Sequence, residues 1–134
     1  MLAGLPVGLP RLMRLDYEAS SGREVFLYFQ DDHQTLYGLL RLRIETAQPQ
    51  SPAKVREMHV FGPEVPIGSR EADAPQHRGW GEQLLKEAER IASAEFVRTR
   101  VTILAGIGAR EYFRQSGYVL DGAYMTKELT AIPR

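Results

Sequence analysis

The sequence contains no cysteine, which removes several kinds of chemistry at once. A disulfide framework, a thiol nucleophile, a cysteine-held iron–sulfur cluster and a cysteine-based zinc site are all excluded for this chain. The three histidines, His33, His59 and His77, are scattered and lack the spacing of metal ligands. We therefore predict no metal site.

An excess of charge of either sign is also missing, since 17 basic and 17 acidic residues give a formal net charge of +0. This balance argues against a strongly electrostatic nucleic-acid binder, although it leaves room for a local basic face. No apolar run is long enough to span a membrane, so we expect a cytoplasmic protein. The apolar start has no basic region and is broken by Gly and Pro, which argues against a signal peptide.

What remains is the composition of one ordinary globular domain. The 134 residues are enough to bury a core, and 43% of them are hydrophobic. We expect residues 1–11 to form a flexible leader and residues 12–134 to form a single domain.

The hydrophobic patterns predict an antiparallel meander followed by alternating strands and helices. Strands are expected at residues 12–19, 24–30, 36–44, 55–60, 98–104 and, as one or two strands, 118–129, with helices at about 80–94 and 109–115. The strand–helix–strand order implies at least one parallel pair joined by a right-handed crossover. The predicted fold class is α/β (α+β), with a mixed, mostly antiparallel twisted sheet and helices on its faces. Arg41 and Arg43 alternate with leucines, so we expect them on a solvated sheet face.

Residues 76–81, Gln-His-Arg-Gly-Trp-Gly, join a polar loop to the first predicted helix. Gly79 and Gly81 allow a tight turn and a close approach of the backbone to a ligand. The amides at a helix N-terminus favour an anion such as a pyrophosphate, to which Arg78 could add a charged hydrogen bond. Trp80 is better explained by packing than by stacking on a base. On this hexapeptide alone, a plain glycine-bearing connection before a helix is the favoured interpretation.

The spacing of Gln76, Gly79 and Gly81 resembles the acetyl-CoA-binding motif of the GCN5-related N-acetyltransferase (GNAT) superfamily. Longer segments resemble the C-terminal acetyltransferase domain of Elongator catalytic subunits, which act in carboxymethyl-type modification of the wobble uridine (U34) of tRNA. These segments are residues 39–43, 56–63, 65–66, 76–77, 87–92, 106–108, 110–112 and 122–125. The resemblance runs from about Leu12 to the C-terminus and implies the GNAT fold, with acetyl-CoA as cosubstrate.

The resemblance also implies which residues bind the cosubstrate. The backbone at residues 57–60 would lie along the pantetheine arm like an added strand, and the amides at residues 78–81 would face the pyrophosphate. The full set of implied cofactor-binding residues is Glu57, Met58, His59, Val60, Gln76, Arg78, Gly79, Trp80, Gly81, Glu82 and Phe113.

Two departures from the family pattern bear on function. The family carries a radical S-adenosylmethionine domain, which this chain lacks, so that chemistry would come from a separate domain or protein. The family also has two consecutive tyrosines where this chain has Tyr112 and Phe113. Phe113 stands where many relatives place a tyrosine near the thioester sulfur, and it has no hydroxyl with which to protonate a thiolate.

Three residues are candidates for catalysis: Glu57, His59 and Tyr112. Glu57 and His59 are two apart on a predicted strand, so they share a face and either could relay a proton. The alternative is that Glu57 only pairs with Arg56 or a loop arginine and that His59 is a hydrogen-bonded core residue.

Three functions remain open at this stage. The first is an acyltransferase domain in tRNA modification that donates from or hydrolyses acetyl-CoA, with tRNA as a partner. The second is an acetyl-CoA-binding or partner-docking module without turnover, and the third is a stand-alone protein or small-amine N-acetyltransferase. Several arginines either form a basic rim for RNA or are dispersed over the surface: Arg11, Arg14, Arg98, Arg100, Arg110 and Arg114.

Overall fold

The computed structural model describes residues 9–61 and 79–130. The elements follow in the order β1 (Arg11–Ala19), β2 (Gly22–Gln30), β3 (Leu36–Ile44), β4 (Ala53–Val60), α1 (Trp80–Arg90), β5 (Arg100–Ile103), α2 (Arg110–Arg114), β6 (Val119–Asp121) and β7 (Tyr124–Glu128). A π-helical turn at Ile91–Glu95 extends α1, and a 3-10 turn at Ile107–Ala109 precedes α2. The predicted order of strands and helices is confirmed. Residues 1–8 lie outside the described chain, so the leader stays a prediction.

The seven strands form one sheet in the order β1-β2-β3-β4-β5-β7-β6. β4 and β5 are parallel and are connected through α1, which confirms the predicted crossover. The other neighbours are antiparallel. The parallel ladder is short, because it joins only three residue pairs, from Ala53 with Val101 to Val55 with Ile103.

Helix α1 covers one face of the sheet, which we call the inner face, and the core lies between them. The apolar stripe predicted for this helix is buried: Leu84, Leu85, Ala88, Ile91 and Ala92. Gly38 on β3 allows the helix to come close, since a Cβ there would lie 3.2 Å from Leu84 Cδ1. Within the described ranges, no helix is both long and apolar enough to cross a membrane.

A β-bulge at Arg56 changes which side chains of β4 face the core. Arg41 of β3 pairs with Glu57, but the next β3 residue, Leu42, pairs with Val55, so Arg56 is the extra residue. Val55 therefore faces inward before the bulge and Met58 faces inward after it. Without the bulge, strict alternation would have turned Glu57 into the core with Val55.

The prediction that Arg43 is solvated is wrong, since only 5% of this residue is exposed. Its guanidinium bonds Glu24 and Glu45 and also donates to the carbonyl oxygens of Ala19 and Ser20. The turn between β1 and β2 thus folds over Arg43, and the neighbouring carboxylates compensate its charge. Arg41, with 42% of its side chain exposed, does lie at the surface as predicted.

Candidate functional site

The site is built around the second half of β4. Because the ladder with β5 ends at Val55, the backbone from Glu57 to Val60 has β3 on one side and no paired strand of the described chain on the other. Such an unpaired edge is a template for an extended ligand that carries amide groups. The bulge at Arg56 follows directly on Val55, the last residue of β4 that pairs with β5.

The N-terminus of α1 is the second part of the site. Gly79 takes the left-handed conformation, with φ of 71°, and its carbonyl accepts the amide of Gln83. The N-cap residue Gly79 has no side chain with which to cap the helix, and an anion placed at this helix end would lie at the positive end of the dipole. Trp80 packs against Phe29 and Tyr37, with ring centroids 4.9 Å and 5.5 Å away, which agrees with its predicted packing role.

Tyr112 links α2 to this helix end. A Cβ placed on Gly81 would overlap the Tyr112 hydroxyl oxygen and would lie 2.9 Å from Met58 Cε. The three residues therefore meet at one point, although they belong to α1, α2 and β4. Glycine is required at position 81 because the tyrosine hydroxyl takes the space of a side chain.

Phe113 points elsewhere. It is 7% exposed and belongs to the core, where its ring meets those of Tyr112 and Tyr118 edge-on. Burial next to Glu89 raises the pKa of Tyr118, so Tyr118 keeps its proton. Of the two consecutive aromatic residues, the structure thus brings the one with a hydroxyl, Tyr112, to the helix N-terminus.

Glu57 and His59 lie on the same face of the sheet, as predicted. This is the face opposite α1, which we call the outer face. Glu57 lies 3.1 Å from an Arg41 nitrogen and 3.3 Å from Nε2 of His59. His59 is not a core histidine, because 55% of its side chain is exposed. Among the described residues, the arginine that pairs with Glu57 is Arg41 of β3 and not Arg56.

The remaining predicted site residues divide into two groups. Glu82 lies in the first turn of α1, and its carboxylate pairs with Lys86 at 3.1 Å, so its side chain turns along the helix. Gln76 and Arg78 lie outside the described residues. In residues 9–61 and 79–130, no three His, Asp or Glu side chains come together as a metal site.

Sequence reasoning missed two features of this site. The sequence predicts Arg41 only as a solvated residue, but its position opposite Glu57 makes it the partner of that carboxylate. The bulge at Arg56 was also missed, yet the apolar residues Val55, Met58 and Val60 carry its signal, because their spacing breaks the period of two.

The comparisons with known proteins agree with this geometry. A tRNA uridine(34) acetyltransferase of Dehalococcoides mccartyi (strain CBDB1) is 49% identical to this chain over 134 aligned residues. The alignment covers 94% of this chain and 29% of that protein. Elongator complex protein 3 of Schizosaccharomyces pombe is 45% identical over 126 residues, with 88% and 23% covered. No protein-family model matches the chain.

Solved structures give the same picture. Elp3 of the archaeon Methanocaldococcus infernus aligns with a TM-score of 0.73 and 36% identity, over 95% of this chain and 32% of that one. Tetrahymena GCN5 aligns with a TM-score of 0.59 at 16% identity, over 82% and 71% of the two chains, which shows a shared fold.

The chain has the fold of the GCN5-related N-acetyltransferases. Within that class it is a homologue of the C-terminal part of proteins named tRNA uridine(34) acetyltransferase and Elongator complex protein 3. It spans less than a third of the length of these relatives.

Proposed function

We propose that this chain is an acetyl-CoA-binding acetyltransferase domain that acts in modification of uridine-34 of tRNA. The observation that carries the proposal is the edge of β4 beyond Val55, with which no strand of residues 9–61 or 79–130 pairs, next to the N-terminus of α1. Relatives named for tRNA uridine acetylation support the choice of acceptor. The rest of the reaction would need the larger part of those relatives, supplied as a separate domain or protein.

The residues present fit acetyl-CoA. The amide groups of the pantetheine arm can pair with the backbone from Glu57 to Val60, and the pyrophosphate can lie at the first turn of α1. The missing side chain at Gly81 makes room for the Tyr112 hydroxyl beside that turn. No charged side chain of the described residues is needed for this mode of binding, which agrees with the neutral composition.

Tyr112 is the residue we assign to the leaving thiolate. When the thioester carbon–sulfur bond breaks, the sulfur takes the electron pair and a proton from the Tyr112 hydroxyl. Water or the activated acceptor forms the new bond to the acetyl carbon and loses a proton. Glu57, supported by Arg41 and His59 on the outer face, accepts that proton.

The first experiment is calorimetric titration of the chain with acetyl-CoA and with CoA. Absence of binding would refute the assignment of the β4 edge and the α1 N-terminus. Because the chain has no cysteine, CoA released by turnover can be followed with a thiol reagent without background from the protein. Release should be measured with and without tRNA.

Tyr112→Phe separates binding from turnover. We expect the acetyl-CoA affinity to change less than about threefold and CoA release to fall on the order of a hundredfold. Tyr124→Phe is the matched control, since this exposed tyrosine of β7 should leave both unchanged. Equal rates for the two variants would contradict the role of Tyr112. Tight binding with no release under any condition would instead establish a binding module without turnover.

A further inference from the structure

A second β-bulge, at Tyr37 of β3, turns an aromatic ring toward the helix. The pairing of β2 with β3 skips Tyr37, since Gln30 is opposite Leu36 and Phe29 is opposite Gly38. Alternation alone would have placed the side-chain positions of Tyr37 and Gly38 on opposite faces of the sheet. The bulge instead lets both lie on the inner face, toward α1.

The ring of Tyr37 packs on Trp80, the first residue of α1. The two ring centroids are 5.5 Å apart, and the ring planes are inclined at 56°. Phe29 of β2 contacts Trp80 as well, at 4.9 Å between centroids, so that only 4% of Trp80 is exposed. Two aromatic rings of the sheet therefore hold the residue at which the helix begins.

The hydroxyl of Tyr37 is held in turn by Asp31, in the turn between β2 and β3. The hydroxyl donates to one carboxylate oxygen at 2.9 Å, and the other oxygen accepts the amides of His33 and Thr35 at 2.9 and 3.0 Å. The bond to Asp31 raises the pKa of Tyr37, while the Thr35 amide lowers the pKa of Asp31. At neutral pH the tyrosine is therefore the donor and the carboxylate the acceptor.

The backbone of Tyr37 contacts the end of β4. Its carbonyl oxygen accepts the amide of Phe61 at 3.0 Å, directly after Val60, the last residue of that strand. The neighbouring Gly38 pairs with Val60, and a Cβ on Gly38 would lie 3.7 Å from Trp80 Cβ. Tyr37 and Gly38 thus form a junction that contacts both the end of β4 and the first turn of α1.

We propose that Tyr37 is a positioning residue for acetyl-CoA and that Asp31 locks its ring in place. The inference rests on the proposed function, in which the β4 edge binds the pantetheine arm and the first turn of α1 binds the pyrophosphate. A ligand that spans both parts binds tightly when their separation already matches its length, since the protein then needs no further ordering. Tyr37 sets this separation, because its backbone contacts one part and its ring contacts the other.

The test compares a ligand that spans both parts of the site with one that reaches only the first. Acetyl-CoA carries the pyrophosphate, whereas S-acetyl-pantetheine ends before it. Acetyl-CoA is titrated by calorimetry, and the weaker S-acetyl-pantetheine by protein NMR, with wild type, Tyr37→Phe and Asp31→Asn. Tyr37→Phe keeps the ring and removes only the hydroxyl that bonds Asp31. Tyr17→Phe is the matched control, because this tyrosine of β1 is 40% exposed.

In Tyr37→Phe and Asp31→Asn, we expect the dissociation constant of acetyl-CoA to rise about fivefold or more, while that of S-acetyl-pantetheine changes less than about twofold. A role in folding alone would lower stability without changing the ratio between the two ligands. An unchanged ratio would therefore overturn the inference and leave the proposed function intact. Absence of acetyl-CoA binding by wild type would refute the proposed function, and this inference with it.

The fluorescence of Trp80 provides a second readout that needs no ligand. Trp80 is the single tryptophan of the sequence, so its quenching by acrylamide reports on the first turn of α1. We expect Tyr37→Phe to raise the quenching constant about twofold and saturating acetyl-CoA to reverse this rise, whereas Tyr17→Phe should match wild type. Wild-type quenching in Tyr37→Phe would show that the helix start does not depend on the locked ring, and it would contradict the inference. Circular dichroism checks that each variant is folded.

Discussion

At the scale of single residues, Val97 is the most unusual feature of the chain. It has a φ of 56°, in the left-handed region that β-branched residues avoid, and it is 63% exposed. The reason lies in the end of the helical segment, where the amide of Arg98 donates to the carbonyl of Ala92. Helix ends of this kind usually have glycine at the left-handed position. The valine therefore strains the backbone without gaining burial.

Val97→Gly should stabilise the protein by about 1 kcal/mol, because glycine adopts this conformation without the steric cost of a Cβ. Val97→Ala is the control, and it should gain less than half as much, since alanine keeps the Cβ and loses only the branching. Urea denaturation followed by circular dichroism measures both differences. A loss of stability in Val97→Gly would mean that the exposed side chain makes contacts that outweigh the strain.

At the scale of elements, β4 has the greatest influence on the site. Its bulge at Arg56 lets both Val55 and Met58 face the core, and it lies directly after the last pair with β5. The bulge depends on the number of residues in the strand and not on the arginine side chain, which is exposed. The site therefore rests on a one-residue insertion in the backbone.

Deletion of Arg56 should remove the bulge and leave the faces of β4 unchanged. Without this residue, Val55, Glu57 and Met58 alternate regularly and keep Leu42, Arg41 and Leu40 as their partners. We expect the free energy of unfolding to change by less than about 1 kcal/mol, since no buried side chain changes its place, while acetyl-CoA binding is lost with the local bend of the strand. Arg56→Ala keeps the residue count and should retain both properties. Wild-type acetyl-CoA affinity in the deletion variant would show that the site does not depend on the bulge.

The sequence predicts the strands and helices more completely than it predicts the arrangement of the site. Alternation in residues 36–44 and the helical stripe from Leu84 to Ala92 are local patterns, so they identified β3 and α1 directly. The bulge and the burial of Arg43 depend on cross-strand partners, which no local pattern contains. For the same reason, no local pattern indicates that Phe113 lies in the core while the Tyr112 hydroxyl lies at Gly81.

At the scale of the whole molecule, acid stability depends on a set of carboxylates held by hydrogen bonds. A hydrogen bond from the Thr35 amide is the main cause that lowers the pKa of Asp31. Hydrogen bonds from arginines lower the pKa of three more carboxylates, with Arg14 as the main cause for Asp16 and Glu95 and Arg43 for Glu45. These bonds tie β1 to the end of the α1 segment and close the turns between strands.

Stability should fall as the solution is made acidic. Because each of these pKa values is lower in the folded state than its ordinary value of 3.8 for Asp or 4.5 for Glu, the folded state binds fewer protons. Their stabilisation is present above about pH 4.5 and is lost as the pH falls through the lowered values. Urea denaturation at a series of pH values from about 7 down to about 2.5 measures this loss.

Asp31→Asn isolates one member of the set. This variant should be less stable than wild type at pH 7, and the difference should shrink as the pH falls below about 3.8. Asp32→Asn, in the same turn but with 49% of its side chain exposed, is the control. A difference between wild type and Asp31→Asn that stays constant with pH would contradict the assignment.

The order of strands in the sheet is a property of the whole molecule that could not be predicted from the sequence. The turn at Asp121 and Gly122 indicates a hairpin, but not which of its strands joins the sheet. In the structure β7 pairs with β5, and β6 is the edge. Met125 of β7 is buried beside Ile103 of β5, whereas Val119 and Leu120 of β6 are exposed. The strand that brings a buried apolar residue next to β5 is therefore the one that pairs with it.

The three-pair ladder between β4 and β5 has a mechanical consequence. It is the line along which four strands on one side meet three on the other, and it has fewer backbone bonds than the nine-pair junction of β1 and β2. The two halves of the sheet are therefore most easily parted there, with the helical crossover as a tether. A ligand bound along β4 and against α1 would connect the two halves of the sheet across this short ladder. Ligand binding should therefore also raise the resistance of the domain to mechanical unfolding.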